Sequence, residues 1–345
     1  MYSDAGATLA DNRSDVFSHS DAIVCVRSVS ANSDFYESDM AMMRPEQILI
    51  GFLDPLTTPE NFKPIATSGV ISFAMELIPR ISRAQSMDAL TSMATISGYK
   101  SVLIAAQSLP KIFPMMITAA GTLTPAKVFV IGAGVAGLQA IATAKRLGAV
   151  VKSYDIRPIV KEQVESLGAK FVELTMDTDS TETSGGYAKA MDEDFYNRQR
   201  ELMGEIVRES DVVISTAAVP GKKPPILVTE NMVQDMQHGS VIVDLATDLG
   251  GNCELTKPGE TTTVNGVTII GATNLPSKVP NHASRLYSGN VVDFLIHLVK
   301  DGQISIDRQD EIVRETLITI DGQISHQKIT EILGLDLTSE DPERS

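Results

Sequence analysis

Residues 127–137 read KVFVIGAGVAG, an apolar run closed by glycines at G-x-G-x-x-G spacing, and LQAIATAKRLG follows with apolar residues at helical spacing. A strand, a tight turn and a helix in that order open a βαβ unit, which few folds besides an open parallel sheet accommodate. Gly132 permits the turn, Gly134 lets the backbone approach a pyrophosphate, and Gly137 lets the helix pack on the strand. Together with Val135 and Ala136, these glycines aim a helix N-terminus at negative charge. The next strand candidate, VKSYDI from Val151, carries Asp155, 18 positions beyond Gly137. That is close to the roughly 20 expected of a carboxylate that bonds the adenine ribose and repels a 2′-phosphate. Ile156 and Arg157 close the same strand end. An arginine there can accept a 2′-phosphate, stack on adenine or lie in solvent; the expected cofactor is NAD(H).

Further apolar runs at KFVEL from Lys170, DVVIST from Asp211, VIVDLA from Val241 and VTIIGAT from Val267 extend the same sheet. Upstream, DAIVCVRSV from Asp21 reads as a short buried strand, ILIGFL from Ile48 as a second, and GVISFAMELIP from Gly69 as a third. Residues 87–113 are rich in Ala, Met, Leu and Ser and read as one or two connecting helices. SRLYSGNVVDFLIHLVK, ending at Lys300, reads as a helix returning to the first domain, and beyond Asp301 the signals weaken. The expected fold is α/β, with two Rossmann-like doubly wound parallel-sheet domains and a nucleotide cleft between them. Residues 1–118 plus 283–345 form the first domain, completed by the C-terminal helix, and 119–282 the NAD(H)-binding one. The acidic tail DLTSEDPERS reads as a frayed end.

The 345 residues carry a formal net charge of −15. A phosphate-binding surface needs a basic face, so nucleic acid is excluded as an expected partner. Cys25 and Cys253 lie far apart with no metal-ligand spacing around either, so no metal is expected and a reducing, cytosolic setting fits. No basic segment with an apolar core opens the chain, and Val128–Ala144, its most apolar stretch, is shorter than the roughly 20 residues a membrane-spanning helix needs.

Two polar segments are candidates for chemistry. PRISRAQSMDAL from Pro79 crowds Arg80, Arg83, Gln85 and Asp88 where the third strand ends; by composition alone a charged surface turn is the simpler reading. TETSGGYAKAMDEDF from Thr181 has the pattern of a mobile loop, in which Tyr187 either covers a cofactor or packs on its own helix. The five histidines lie in unrelated surroundings, and no Ser/His/Asp or Cys/His arrangement is visible. Hydride transfer between two nicotinamides needs no general acid or base, so that chemistry tolerates their absence.

Taken together, PRISRAQS, SGYK, FPMMITAAGT, GAGVAGLQAIATAKRLGA, KEQVESLGAKF, GGYAK, PGKKPP, GSVIVDLA and GGNC resemble the NAD(H)-binding component of the proton-translocating transhydrogenase family. The resemblance runs from about Ala5 to the last third of the chain. It implies that Arg80, Gln85 and Asp88 hold the nicotinamide end of NADH, with Gln85 reaching toward the partner nucleotide. It also implies that Gly186 and Tyr187 lie on a mobile loop, that Gln199 and Thr216, Ala217 and Ala218 border the nucleotide, and that Asp155 holds the adenosine ribose. The implied partners are an NADP(H)-binding beta-type subunit, a membrane-spanning subunit and a second copy of the chain, with the protein peripheral on the cytoplasmic side of the membrane.

Three departures from the family pattern stand out. The chain starts inside the pattern, so an incomplete first domain is expected. Gly51, Phe52, Leu53 and Asp54 stand where the family often has a histidine. No membrane helices follow, which resembles a split-subunit arrangement. The alternatives are an alanine dehydrogenase, a relative with the same two-domain plan, and a truncated NAD-binding module without turnover.

Overall fold

The computed structural model describes residues 2–28, 31–173, 193–218, 223–247 and 250–335. Gly186, Tyr187, most of the TETSGGYAKAMDEDF segment and the acidic tail lie outside them. The chain divides into two compact units, Met1–Leu90 with Arg285–Ser345, and Thr91–Ser284.

In the first unit, β1 (Ala22–Arg27), β2 (Ile48–Phe52) and β3 (Ile71–Ala74) run parallel in that order. Leu49, Leu53, Phe62, Ile65, Val70 and Ala74 make the centre of its core. The DAIVCVRSV run reads as buried, yet β1 is the sheet edge and leaves Val24 and Val26 about half exposed, at 46% and 59%. An edge strand lacks a neighbour whose helix would cover it, so apolar composition does not guarantee burial there.

The second unit begins with a small hairpin, β4 (Met116–Thr118) and β5 (Gly121–Leu123), followed by a seven-stranded sheet. Its strands are β6 (Lys127–Ile131), β7 (Val150–Tyr154), β8 (Lys170–Phe171), β9 (Val212–Ser215), β10 (Val241–Asp244), β11 (Thr261–Val264) and β12 (Val267–Gly271). The order is β11-β12-β10-β9-β6-β7-β8, parallel throughout except for the edge strand β11. Leaving β11 aside, this is the 3-2-1-4-5-6 order of dinucleotide-binding sheets, with the switch point between β6 and β9.

Strand alternation explains why this sheet is apolar on both faces. Val128 and Val130 of β6 enter one core with Val212, Ile214, Val241 and Val243, while Phe129 and Ile131 enter the opposite core with Val213 and Ile242. Helices cover both faces, so every strand position is buried and each large side chain contributes about 1.5–3 kcal/mol. The helix Val135–Arg146 packs through Ala140, Ile141 and Ala144 on the first of these cores.

The residues after the third strand form a single helix, Ala89–Ser108, whose Val102 and Ala105 join the same core together with Leu109 beyond its end. The division of the chain therefore falls at Leu90, not at the expected residue 118, because this helix buries its apolar side chains in the second unit.

The C-terminal segment returns more than a helix. Below the helix Pro280–Leu298, a hairpin of β13 (Val299–Lys300) and β14 (Gln303–Ile304) precedes β15 (Leu317–Ile320) and β16 (Gln323–Ile324). β15 pairs antiparallel with β3 and is buried along its length. Ser72 and Thr319 share a buried 2.7 Å hydrogen bond across that pairing, and Phe294 meets Phe73 edge to face. Among the described residues no helix is long and apolar enough to cross a membrane.

Candidate dinucleotide site

The chain leaves β6 through Gly132, whose φ of +93° only glycine adopts without strain. A Cβ at Gly132 would also stand 2.7 Å from Thr216 Oγ1, and one at Gly137 would stand 1.8 Å from the carbonyl oxygen of Gly132. These two glycines therefore let β6, the end of β9 and the following helix meet at backbone distance. Gly134 is different: a Cβ there would meet nothing within 4 Å. Gly134 is the N-cap of Val135–Arg146 and offers no side chain to the first amides of that helix. The half-buried Val135 and Ala136 follow it. The result is an open approach to a helix N-terminus, which suits an anion.

The turn is supported from below by a residue whose role is not legible in the sequence. Gly98, in the SGYK motif, lies where a Cβ would approach the carbonyl oxygen of Ala136 to 2.1 Å. The long helix thus backs directly onto the glycine-rich turn, and its glycine is a packing requirement of the site.

Asp155 follows β7 and is buried, at 8% exposure. Its Oδ2 accepts a 2.7 Å hydrogen bond from the amide of Ala133, which ties the second strand to the glycine turn. Its Oδ1 accepts from the Arg157 amide at 2.9 Å. The Arg157 guanidinium grips both oxygens, with Nε at 2.9 Å from Oδ1 and Nη2 at 3.0 Å from Oδ2. Of the three roles open to Arg157 in the sequence, the structure shows a fourth, an ion pair with its own strand's carboxylate. Ile156 between them is half-buried.

Beside this carboxylate, Gln199 of the helix Glu193–Glu209 is buried and donates through Nε2 to the Tyr154 hydroxyl at 2.8 Å. Burial pushes the Tyr154 phenol up to about 12, so it stays a neutral hydrogen-bonding group. The Oε1 of Gln199 is buried with no hydrogen-bond partner among the described residues. An unsatisfied buried acceptor costs about 1–3 kcal/mol and is the kind of atom a polar ligand satisfies.

Thr216, Ala217 and Ala218 continue β9 across from the glycine turn. The Thr216 hydroxyl donates to the Gly132 carbonyl at 3.1 Å. Asn252 fixes Ala217 by a reciprocal pair, accepting from its amide at 3.0 Å and donating to its carbonyl at 2.8 Å, and also reaches the Pro225 carbonyl at 2.9 Å. Asn252 is held in turn by Asp244 at the end of β10. That fully buried carboxylate accepts from the amides of Ala246 at 3.0 Å, Asn252 at 2.7 Å and Cys253 at 2.9 Å, and from the Thr256 hydroxyl at 2.9 Å. The motifs GSVIVDLA and GGNC thus act together to position the strand end. The signal for them in the sequence is an aspartate closing an otherwise wholly apolar strand.

In the first unit the PRISRAQS segment forms a 3-10 helix, Ser82–Met87, anchored by the buried Ala84 and Met87. Arg80 and Gln85 are exposed on it and Asp88 is half-buried. Arg83 belongs to the framework: it pairs at 2.6 Å with Asp310, which also accepts from the first amides of the helix Glu311–Thr316. Asn290 donates to the Ser86 carbonyl at 2.7 Å and so holds the segment from the helix Pro280–Leu298. The charged turn is therefore pinned at both ends, with Gln85 presented between the pins.

The sheet order, the glycine turn at the switch point and the acidic residue ending the second strand define a dinucleotide-binding Rossmann domain. The chain belongs to the alanine dehydrogenase/PNT family, whose N-terminal domain matches residues 1–97 and whose C-terminal domain matches residues 101–327. It is 45% identical over 330 residues to the first portion of the split NAD(P) transhydrogenase alpha subunit of Rickettsia prowazekii, covering 96% of this chain and 85% of that protein. The crystal structure of transhydrogenase from Sinorhizobium meliloti superposes with a TM-score of 0.80 at 40% identity, covering 95% of this chain and 85% of that one. An L-alanine dehydrogenase structure shares the fold, with a TM-score of 0.77 at 24% identity over 96% of this chain and 86% of that chain. The chain is thus an oxidoreductase-family member homologous to the transhydrogenase alpha subunit.

Proposed function

We propose that this chain is the NAD(H)-binding component of a proton-translocating transhydrogenase, passing hydride between NADH and NADP⁺ held on a partner subunit. The observation that carries this reading is the glycine turn beside Asp155, in a chain similar along nearly its whole length to a transhydrogenase alpha subunit.

The residues present fit a dinucleotide. The open side of Gly134 and the helix N-terminus behind it would hold the pyrophosphate, with Gly132, Val135, Ala136 and Gly137 shaping the turn. Asp155, followed by Ile156 and Arg157, would hold the adenosine ribose. Thr216, Ala217, Ala218 and the unpartnered Oε1 of Gln199 would border the nucleotide. Gly186 and Tyr187 retain the covering role that the resemblance implies. When bound, the nicotinamide supplies the hydride. Arg80, Gln85 and Asp88 would orient the ring and exclude water, so that catalysis is positioning rather than proton transfer.

The partners in this reading are an NADP(H)-binding beta-type subunit and a membrane-spanning subunit that couples transfer to proton movement. They would keep this chain peripheral on the cytoplasmic face of the membrane. A homodimer is part of the reading. The β4–β5 hairpin supports it, because Met116, Ile117 and Leu123 are 44%, 73% and 50% exposed, an apolar surface of the kind that pairing covers. The alanine dehydrogenase alternative is disfavoured at Phe52, whose ring stacks on Tyr287 with centroids 5.3 Å apart, where that relative would want a histidine.

The test is NADH-dependent reduction of an NADP⁺ analogue by the purified chain mixed with an NADP(H)-binding transhydrogenase component. Turnover is expected with both proteins and with neither alone. NADH binding without turnover would favour the non-catalytic module. L-alanine-dependent NADH formation would favour the dehydrogenase. In the mixed assay Gln85→Ala should slow transfer more than it weakens NADH binding; equal losses in both would remove Gln85 from its assigned role.

A further inference from the structure

We propose that Arg157 is an internal competitor for the Asp155 carboxylate, lowering the affinity of the site for NAD(H) and weakening its rejection of a 2′-phosphorylated nucleotide. The inference rests on the reading of Asp155 as the ribose-binding carboxylate.

A carboxylate offers about four acceptor positions. Asp155 has four donors on it: the Ala133 amide, the Arg157 amide, and Nε and Nη2 of the Arg157 guanidinium. The two amides belong to the turn and to the strand end, and neither can leave without distorting the backbone. The two guanidinium bonds come from a side chain and can be exchanged. An adenosine ribose presents two vicinal hydroxyls and needs two acceptors, the same number that the guanidinium holds. Ribose binding is therefore an exchange in which two charge-assisted bonds are given up for two hydroxyl bonds. The site binds NAD(H) more weakly than an unengaged carboxylate would.

Selectivity follows from the same pair. Asp155 rejects a 2′-phosphate by charge, and the guanidinium against it, itself only 12% exposed, neutralises that charge within a buried setting where screening is weak. Once displaced, the guanidinium lies two residues away and matches a phosphate in planar, bidentate fashion. Arg157 thus acts twice in favour of NADP(H) and once against NAD(H).

The test is titration calorimetry of the full chain with NADH and with NADPH, comparing the unmodified protein with Arg157→Gln, Arg157→Lys and Asp155→Asn. Arg157→Gln should bind NADH roughly 3- to 10-fold tighter and widen the preference for NADH over NADPH by at least that factor. Arg157→Lys, whose single ammonium cannot span both oxygens, should fall between, and it carries the test if the glutamine variant does not fold. Asp155→Asn should lose NADH affinity. If Asp155→Asn weakens NADH binding while the Arg157 variants bind it equally or less tightly, Arg157 contacts the nucleotide directly, as by stacking on adenine. The competitor role is then overturned with the ribose reading intact. Unchanged NADH affinity in Asp155→Asn would overturn both.

Discussion

Replacing Asp244 with alanine removes one carboxylate and leaves four donors without their acceptor: the amides of Ala246, Asn252 and Cys253 and the Thr256 hydroxyl. Asn252 and Cys253 are fully buried and Ala246 is nearly so. A buried donor stripped of its partner costs about 1–3 kcal/mol, so the three amides alone amount to roughly 3–9 kcal/mol. A water molecule entering the space of the carboxylate can satisfy two or three of these donors, which brings the expected loss to about 3–5 kcal/mol. That is a large part of the roughly 5–15 kcal/mol by which a domain is stable. Asp244→Asn separates hydrogen bonding from bulk. Its remaining oxygen can still serve Asn252, Cys253 and Thr256, which all use Oδ2, while its amide faces the Ala246 amide donor to donor. Its cost should be less than half that of the alanine variant. Urea unfolding followed by circular dichroism and by intrinsic tyrosine fluorescence measures both. Because Asn252 clamps Ala217, a folded Asp244→Asn protein should also bind NADH more weakly. An alanine variant within 1 kcal/mol of the unmodified protein, or an asparagine variant equally costly, would refute the assignment of Asp244 as the organiser of this strand end.

Close packing and burial each make one more outcome measurable. Gly137→Ala and Gly98→Ala each place a Cβ within about 2 Å of a backbone carbonyl, at 1.8 and 2.1 Å, so both should reduce NADH affinity at least tenfold with the fold retained at low temperature; calorimetric titration reads this, and unchanged affinity would refute the close-packing argument. Burial pushes the Glu76 carboxyl up to about 7. Its Oε1 accepts from the amides of Leu53 and Asp54, while Oε2 is buried without a partner. A carboxyl raised in the folded state stabilises the protein below its unfolded pKa, near 4.5, and that stability is lost as pH rises through about 7. Glu76→Gln should therefore match the unmodified protein near pH 5 and exceed it near pH 8 by up to about 3 kcal/mol, as read from urea midpoints; a difference independent of pH would refute it.

Much of the second unit was legible in the chain because it rests on local rules. The KVFVI strand, the glycine turn and the helix after it depend on residues within a few positions of one another, and Asp155 is reached by counting one βαβ step. The apolar runs at 211, 241 and 267 are strands for the same reason: a strand buried on both faces must be apolar throughout. Less was legible in the first unit. DAIVCVRSV has the composition of a buried strand but forms an edge, and Leu317–Ile320, a fully buried strand, lies where the sequence signal fades. Both outcomes depend on which strands become neighbours, and that is decided by β3 pairing with a segment more than 200 residues away.

The sequence by itself therefore determined the class of fold, the dinucleotide turn and the carboxylate that follows it, since backbone sterics at Gly132 and strand periodicity are properties of short stretches. Only the tertiary structure decided what those residues do to one another. It brought the carbonyl of Ala136 against Gly98, closed the Asn252 clamp on Ala217 under Asp244, committed Arg83 to Asp310, and laid the Arg157 guanidinium across both oxygens of Asp155. Each of these turns on distances of an ångström or less between segments, or on the rotamer of a side chain, and a linear pattern carries neither.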